Sequence, residues 1–378
     1  MDIKVKTKGM ALAVLLAFGL TAQAAPTPAT VQEAKQQGAQ QVALLLSDRI
    51  FTDALRRQLS DAEKEGGGSQ EIATPLTSLL AEYRTRQGRS AVIETLRGFD
   101  TAVKALKGYP TMRAGVLQLR LYVPKGQPSP TDFGNLLVAF EPAGKSSNWT
   151  TVDAYDSEGR LHLLDARQAP DFPVLVLDID GRQDLREGVR IMNQTLAEGG
   201  LHLSDQKSSD YELTVLTKIR LDSDKEPWLS GAAEVFAMVS GMKPNQEGPN
   251  LQIVDMPYLD WEKRDYFPGQ DLIHWSDFGL GAVNIQLFEQ DDDANYKALA
   301  SAILDGISQV LDKFEPTYSF IPKIADAILK VTPDSWWIND NDYLDSYYLI
   351  EKGKSYVDRP GAAGNATATF TPYTIKRP

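Results

Sequence analysis

Between Leu106 and Val116 the spacing of apolar residues changes from a helical to a strand period, which restricts the chain to folds that segregate helices and strands along the sequence. Upstream, three stripes recur at helical spacing: Val42, Leu45, Ile50; Ile72, Leu76, Leu79, Leu80, Tyr83; and Ile93, Leu96, Phe99, Val103, Leu106. Gly66-Gly67-Gly68-Ser69 lacks the Lys and Ser/Thr of a phosphate loop and reads as a connector. Downstream, the period is two. Val116–Val123, Leu136–Phe140, Thr151–Tyr155, Leu161–Leu164 and Pro173–Leu177 read as strands, with Asp156-Ser157-Glu158-Gly159 as a hairpin turn. The expectation is N-terminal helices followed by a small antiparallel sheet.

The polar segment Ala197–Asp210 predicts a domain boundary. Beyond it, strand-like runs recur at Tyr211–Leu221, Ala233–Val239, Leu251–Val254, Asp271–Trp275, Val283–Phe288, Tyr343–Ile350 and Ala366–Thr374, and their even spacing predicts a β-sandwich. Two helices interrupt it. Leu299, Ala302, Ile303, Ile307, Val310, Leu311 and Phe314 form one stripe, and a second helix starts near Ile321-Pro322 with Ile324, Ile328 and Leu329 on one face. The fold class is α+β, with residues 25–200 as a helical plus β domain and 211–378 as an acidic sandwich domain with two inserted helices. The two parts differ in charge: residues 211–378 hold 26 acidic and 15 basic groups and five of the six tryptophans. Such asymmetry suggests two surfaces.

Residues 1–24 read as a secretory signal peptide: Lys4, Lys6 and Lys8 precede an apolar run from Met10 to Leu20, and Ala22-Gln23-Ala24 supplies a small-residue cleavage site. That run is too short to span a bilayer comfortably, and no later segment reads as transmembrane. The expected location is therefore secreted or periplasmic. With no cysteine, the chain is neither a disulfide scaffold nor a lipoprotein anchored through Cys. Losing three Lys and one Asp with that segment takes the net charge from -12 to -14, which disfavours nucleic acid and anionic lipid as partners.

Two acidic turns stand out, Asp222-Ser223-Asp224 and Glu289-Gln290-Asp291-Asp292-Asp293. Carboxylates this dense repel one another unless solvent screens them or a divalent cation gathers them. Calcium takes six to eight oxygens and is bound outside cells at roughly 0.1 to 1 mM, whereas magnesium demands a stricter octahedron. Acidic turns also serve as solvated surface that keeps strand edges from pairing. Asp178-Ile179-Asp180-Gly181 is accounted for by turn chemistry. Asp340-Asn341-Asp342 with Glu351 mimics EF-hand spacing but puts Asp345 at the place of the obligatory glycine.

The order of a strand, the turn Leu221-Asp222-Ser223-Asp224-Lys225-Glu226-Pro227-Trp228, the strand Glu234–Val239 and the later Ile285–Asp293 resembles the C2 domain, an antiparallel β-sandwich that holds calcium between acidic loops at one end. That resemblance implies ligand roles for Asp222, Asp224, Glu289, Asp291 and Asp293. Two departures are visible: Glu289 stands for an Asp, and Lys225-Glu226-Pro227-Trp228 replaces a Ser-Asp-Pro-Tyr sequence. Over most of its length the chain also resembles the domain of unknown function 3103 family of secreted bacterial proteins, through Val254–Asp260, Asn284–Glu289, Glu351–Tyr356 and Gly361-Ala362-Ala363-Gly364-Asn365. This second resemblance implies secretion and no particular activity.

Motifs for catalysis are missing from the sequence. His162, His202 and His274 form no His-Glu-x-x-His motif, no Cys nucleophile or Gly-x-Ser-x-Gly elbow exists, and Ser204-Asp205-Gln206-Lys207 lacks its companion motifs. The expectation is a calcium-stabilised binding or interaction module with a protein or carbohydrate partner. A carboxylate-dependent hydrolase of extracellular polysaccharide and a structural envelope protein without ligand are the alternatives.

Overall fold

The computed structural model describes residues 27–65, 72–88, 90–144, 146–201, 211–223, 227–245, 247–289, 294–311, 317–331 and 343–376. The expected signal peptide, the 66–69 glycine run and most of the polar boundary segment lie outside them. Helix α1 (Val31–Leu45) starts at Thr30, whose hydroxyl accepts from the Glu33 N–H, and α2 (Arg49–Glu65) follows after a break at Asp48. The carboxylate of Asp48 takes the Ile50 N–H at 2.8 Å, so the stripe Val42, Leu45, Ile50 belongs to two helices rather than one. Strand β1 (Ile72–Pro75) is a second departure, because the spacing of apolar residues puts Ile72 at the head of a helical stripe. Helices α3 (Leu76–Gln87) and α4 (Ala91–Leu106) then match expectation.

Strands β2 (Leu117–Tyr122), β3 (Leu137–Ala139), β4 (Thr151–Tyr155), β5 (Leu161–Asp165) and β6 (Val174–Ile179) join β1 in one sheet of order β1-β2-β6-β3-β4-β5. All its pairings are antiparallel except β3 with β6, which is parallel and makes the sheet mixed. Every residue of β6 is buried because both faces are covered. One face packs under the N-terminal helices through Leu117, Leu119, Val138, Leu175 and Leu177. The other packs Ala139, Val152, Val174 and Val176 against Leu229, with Trp228 beside them.

After β6, where turn chemistry accounts for Asp178-Ile179-Asp180-Gly181 in the sequence, the chain enters a helix that the sequence reading does not include. Asp180 caps α5 (Gly181–Glu198) by accepting from the Gln183 N–H at 3.1 Å, and Leu185, Met192 and Leu196 are buried on its inner face.

The remaining elements are β7 (Tyr211–Leu221), β8 (Val235–Met242), β9 (Pro249–Asp255), β10 (Gln270–His274), β11 (Gly279–Glu289), α6 (Tyr296–Leu311), α7 (Ile321–Val331), β12 (Tyr343–Glu351), β13 (Tyr356–Pro360) and β14 (Ala366–Ile375). The strands make two four-stranded antiparallel sheets, β10-β7-β14-β13 and β12-β11-β8-β9. They face each other across a shared core: Leu216, Ile219, Ala368 and Phe370 from the first meet Val235, Val239, Ile285 and Tyr347 from the second. Burying side chains of this size contributes roughly 1.5–3 kcal/mol each.

The alternate residues of β8 and β11, among them Phe236, Met238 and Phe288, join the core that includes α1–α7. Asn284 donates to the Ile321 carbonyl at 2.7 Å and Gln286 to that of Ala325 at 3.3 Å, which seats α7 on this face. Among the described residues no helix is long and apolar enough to cross a membrane.

Candidate functional site

The acidic end of the paired sheets is built by strand ends. β7 finishes at Leu221, opposite Ala366 at the start of β14, and Asp222 follows at once. In the facing sheet β11 finishes at Glu289, opposite Val235, while Leu287 lies opposite Asp345 of β12. Asn365 and Asp345 connect the two sheets here. The Asp222 N–H donates to the Asn365 carbonyl at 2.8 Å, and the Asn365 N–H donates to Oδ2 of Asp345 at 2.8 Å. Asp222 and Glu289 therefore leave the two sheets at the same end of the molecule.

Their surroundings differ. The Asp222 side chain is 64% exposed, and among the described residues its charged partner is the Arg220 guanidinium, at 3.4 Å. Glu289 is buried at the root of its loop. Asp224, Asp291 and Asp293, like Asp340 and Asp342, lie outside the described residues. Among the described residues no group of three or more His, Asp or Glu side chains stands ready to hold a metal ion. Asp222 and Glu289 by themselves fall short of the six oxygens calcium requires.

Asp345 and Asn365 were missed as organising residues. Asp345 is fully buried, and its carboxylate accepts from the N–H groups of Ser346 and Ala363 at 2.7 Å, Asn365 at 2.8 Å and Ala366 at 2.6 Å. Four donors match the acceptor capacity of a carboxylate. The loop Gly361–Asn365 can close this tightly because its residues are small; a Cβ on Gly361 would overlap the Asp345 carboxylate. Asn365 then clamps the first acidic turn, accepting the Ser223 N–H at 3.0 Å and donating to the Ser223 carbonyl at 2.9 Å. A run of small residues ending in Asn is the sequence signal that could have pointed to such a wrap.

A second concentration of chemistry lies in the interior. Asp184 of α5 receives the Lys107 ammonium at 2.9 Å, the Tyr296 hydroxyl at 2.8 Å and the Tyr109 hydroxyl, and both charged residues are wholly buried. Burial pushes the Asp184 carboxyl upward, opposed by the Lys107 charge and the hydroxyl donors. The group ties α5 to the end of α4 and the start of α6.

The described histidines are apart. His162 sits on β5, where its ring nitrogen is 2.8 Å from Asp156, and His274 ends β10 in another sheet. His162 and Arg160 hold the Asp156 carboxyl well below the usual carboxylate range. The pair fastens the β4–β5 hairpin, whose turn also gives Asp156 the Glu158 and Arg160 N–H groups.

No curated protein and no solved structure matches the chain. A family model described as "Protein of unknown function (DUF3103)" matches residues 39–378, from the middle of α1 past the end of β14. The chain belongs to that family.

Proposed function

We propose that this chain is a secreted or periplasmic binding module, with a C2-like acidic end that takes calcium and thereby presents a surface to a protein or carbohydrate partner. The observation that carries this reading is the exit of Asp222 and of the β11 end at Glu289 from the two facing sheets at one end of the molecule, linked through Asn365 and Asp345. Asp222, Asp224, Asp291 and Asp293 would supply carboxylate oxygens, with Glu289 at the base of the second loop. When bound, calcium would supply charge neutralisation and rigidity. The chain's own part is to anchor the first turn: Asn365 fixes the Ser223 backbone while the Asp222 side chain stays exposed.

Calorimetry of the metal-stripped protein tests this. With an affinity in the range usual for extracellular modules, about 5 mM calcium should add about 1–2 kcal/mol to stability and raise the unfolding temperature by a few degrees. The double change Asp291→Asn with Asp293→Asn should remove the shift and leave the metal-free unfolding temperature unchanged. An unfolding temperature indifferent to calcium would sink the proposal.

A further inference from the structure

A cleft opens in the N-terminal part of the molecule, lined by none of the residues of the acidic end. Arg56, Leu59, Ser60 and Glu63 form one wall; at spacings of three, four and seven they occupy one face of α2. Ile72 of β1 and Leu121 of β2 make the floor, and Ser129, Pro130, Thr131 and Phe133 the opposite wall. The volume is about 330 Å³, at the small end of the range for ligand sites.

Leu59, Leu121 and Phe133 are buried and give the cleft an apolar base. Its two ends carry opposite charge. The Arg56 guanidinium stands 5.8 Å from the centre of the Phe133 ring, and among the described residues its carboxylate partner is Asp53, at 3.5 Å and one turn away. Both side chains of that pair are over two-fifths exposed, so the contact is weak and leaves the guanidinium fork available. Glu63 accepts the Ser129 hydroxyl at 2.9 Å and has no cationic partner among the described residues.

We propose that this cleft binds a short apolar peptide of about three residues by both of its ends, the peptide carboxylate on Arg56 and its ammonium on Glu63. Length supports this. Seven helical residues separate Arg56 from Glu63 by about 10.5 Å, and three extended residues span about 10 Å. The peptide side chains would lie on Leu59, Leu121 and Phe133, and the Ser60, Ser129 and Thr131 hydroxyls are placed for its backbone. A fatty acid would leave Glu63 unmatched and a cationic amphiphile would leave Arg56 unmatched. Nothing in this site depends on calcium.

Titration calorimetry with trileucine, its C-terminal amide and its N-acetyl form provides the test. The free tripeptide should bind saturably, and loss of either terminal charge should weaken binding about tenfold. Arg56→Gln should abolish discrimination against the amide while keeping that against the acetyl form, and Glu63→Gln should do the reverse. Both side chains are solvent-exposed, so the variants should unfold at the wild-type temperature. No saturable binding of trileucine up to about 10 mM, or equal binding of all three peptides to the unaltered protein, overturns the proposal. Because the three peptides are compared on the unaltered chain, a variant that fails to fold does not decide the outcome.

Discussion

Asp184 and Asp345 are both fully buried carboxylates, and they are satisfied in opposite ways. Asp184 draws on side chains from distant parts of the chain: Lys107 at the end of α4, Tyr109 just after it, and Tyr296 at the start of α6. Asp345 draws on four backbone N–H groups, three of them from the 363–366 stretch, and among the described residues no cation pairs with it. The first arrangement ties the N-terminal helices to α5 and α6; the second joins β12 to the short loop that enters β14. A buried charge is costly in either setting, so each site is held only by a full set of partners. What differs is how far the damage should travel when the set is broken.

The largest effect is expected at the interior cluster. Asp184→Ala removes the buried carboxylate that the Lys107 ammonium meets at 2.9 Å and that the Tyr109 and Tyr296 hydroxyls donate to, a loss of about 3–5 kcal/mol. Urea unfolding should show this as a global shift of the midpoint with an unchanged slope. Replacing both partners, Asp184→Leu with Lys107→Met, removes the charges together and should recover much of the loss. A double variant as unstable as Asp184→Ala would mean that shape, and not charge pairing, dominates the cluster. Gly188, where a Cβ would overlap the Tyr296 ring, shows how closely α5 already approaches α6.

A smaller and more local effect is expected at the loop. Gly361→Ala forces a methyl group into the Asp345 carboxylate, and displacing one against the other should cost about 1–3 kcal/mol. Hydrogen exchange would separate this variant from Asp184→Ala. Amides 363–366 should lose protection in Gly361→Ala while those of β6 and α5 keep theirs. Loss of protection throughout would erase the contrast between the two carboxylates.

The strands of this molecule were largely readable because alternation reports a sheet with one covered face, as in β14, where Ala366, Ala368 and Phe370 are buried and the threonines between them less so. The run Pro173–Leu177 was readable for the opposite reason: residues 174–177 of β6 are all apolar because helices cover one face and Leu229 the other. Helix α5 escaped because Asp178-Ile179-Asp180-Gly181 satisfies turn chemistry as well as it does a capped helix start. Its buried Leu185, Met192 and Leu196 nevertheless stand at helical spacing. Strand β13 escaped because Tyr356–Pro360 is largely exposed and carries no apolar alternation. Of the candidate site, the acidic strand ends were visible one at a time. Their common exit depends on Asn365 meeting Ser223 across 142 residues and on Asp345 facing the 361–366 loop, and no local pattern encodes such contacts.

The smallest effect sharpens the contrast from the solvent side. Glu82 of α3 gathers a comparable number of partners, Arg57 at 2.6 Å, Gln58 at 2.8 Å and Arg86 at 3.5 Å, but it does so at the surface. Arg57 and Gln58 hold its carboxyl below the ordinary glutamate value of 4.5. A folded-state value depressed in this way contributes stability that is fully present above about 4.5 and lost as pH falls through the lowered value. Glu82→Gln should therefore lower stability at pH 7 by less than about 1 kcal/mol, and the deficit should fade at pH 3 and shrink in high salt. Thermal unfolding of the two proteins at both pH values and two salt concentrations measures it. A deficit at pH 7 as large as that of Asp184→Ala, or one that persists undiminished at pH 3, would show that burial is not what sets the interior carboxylates apart.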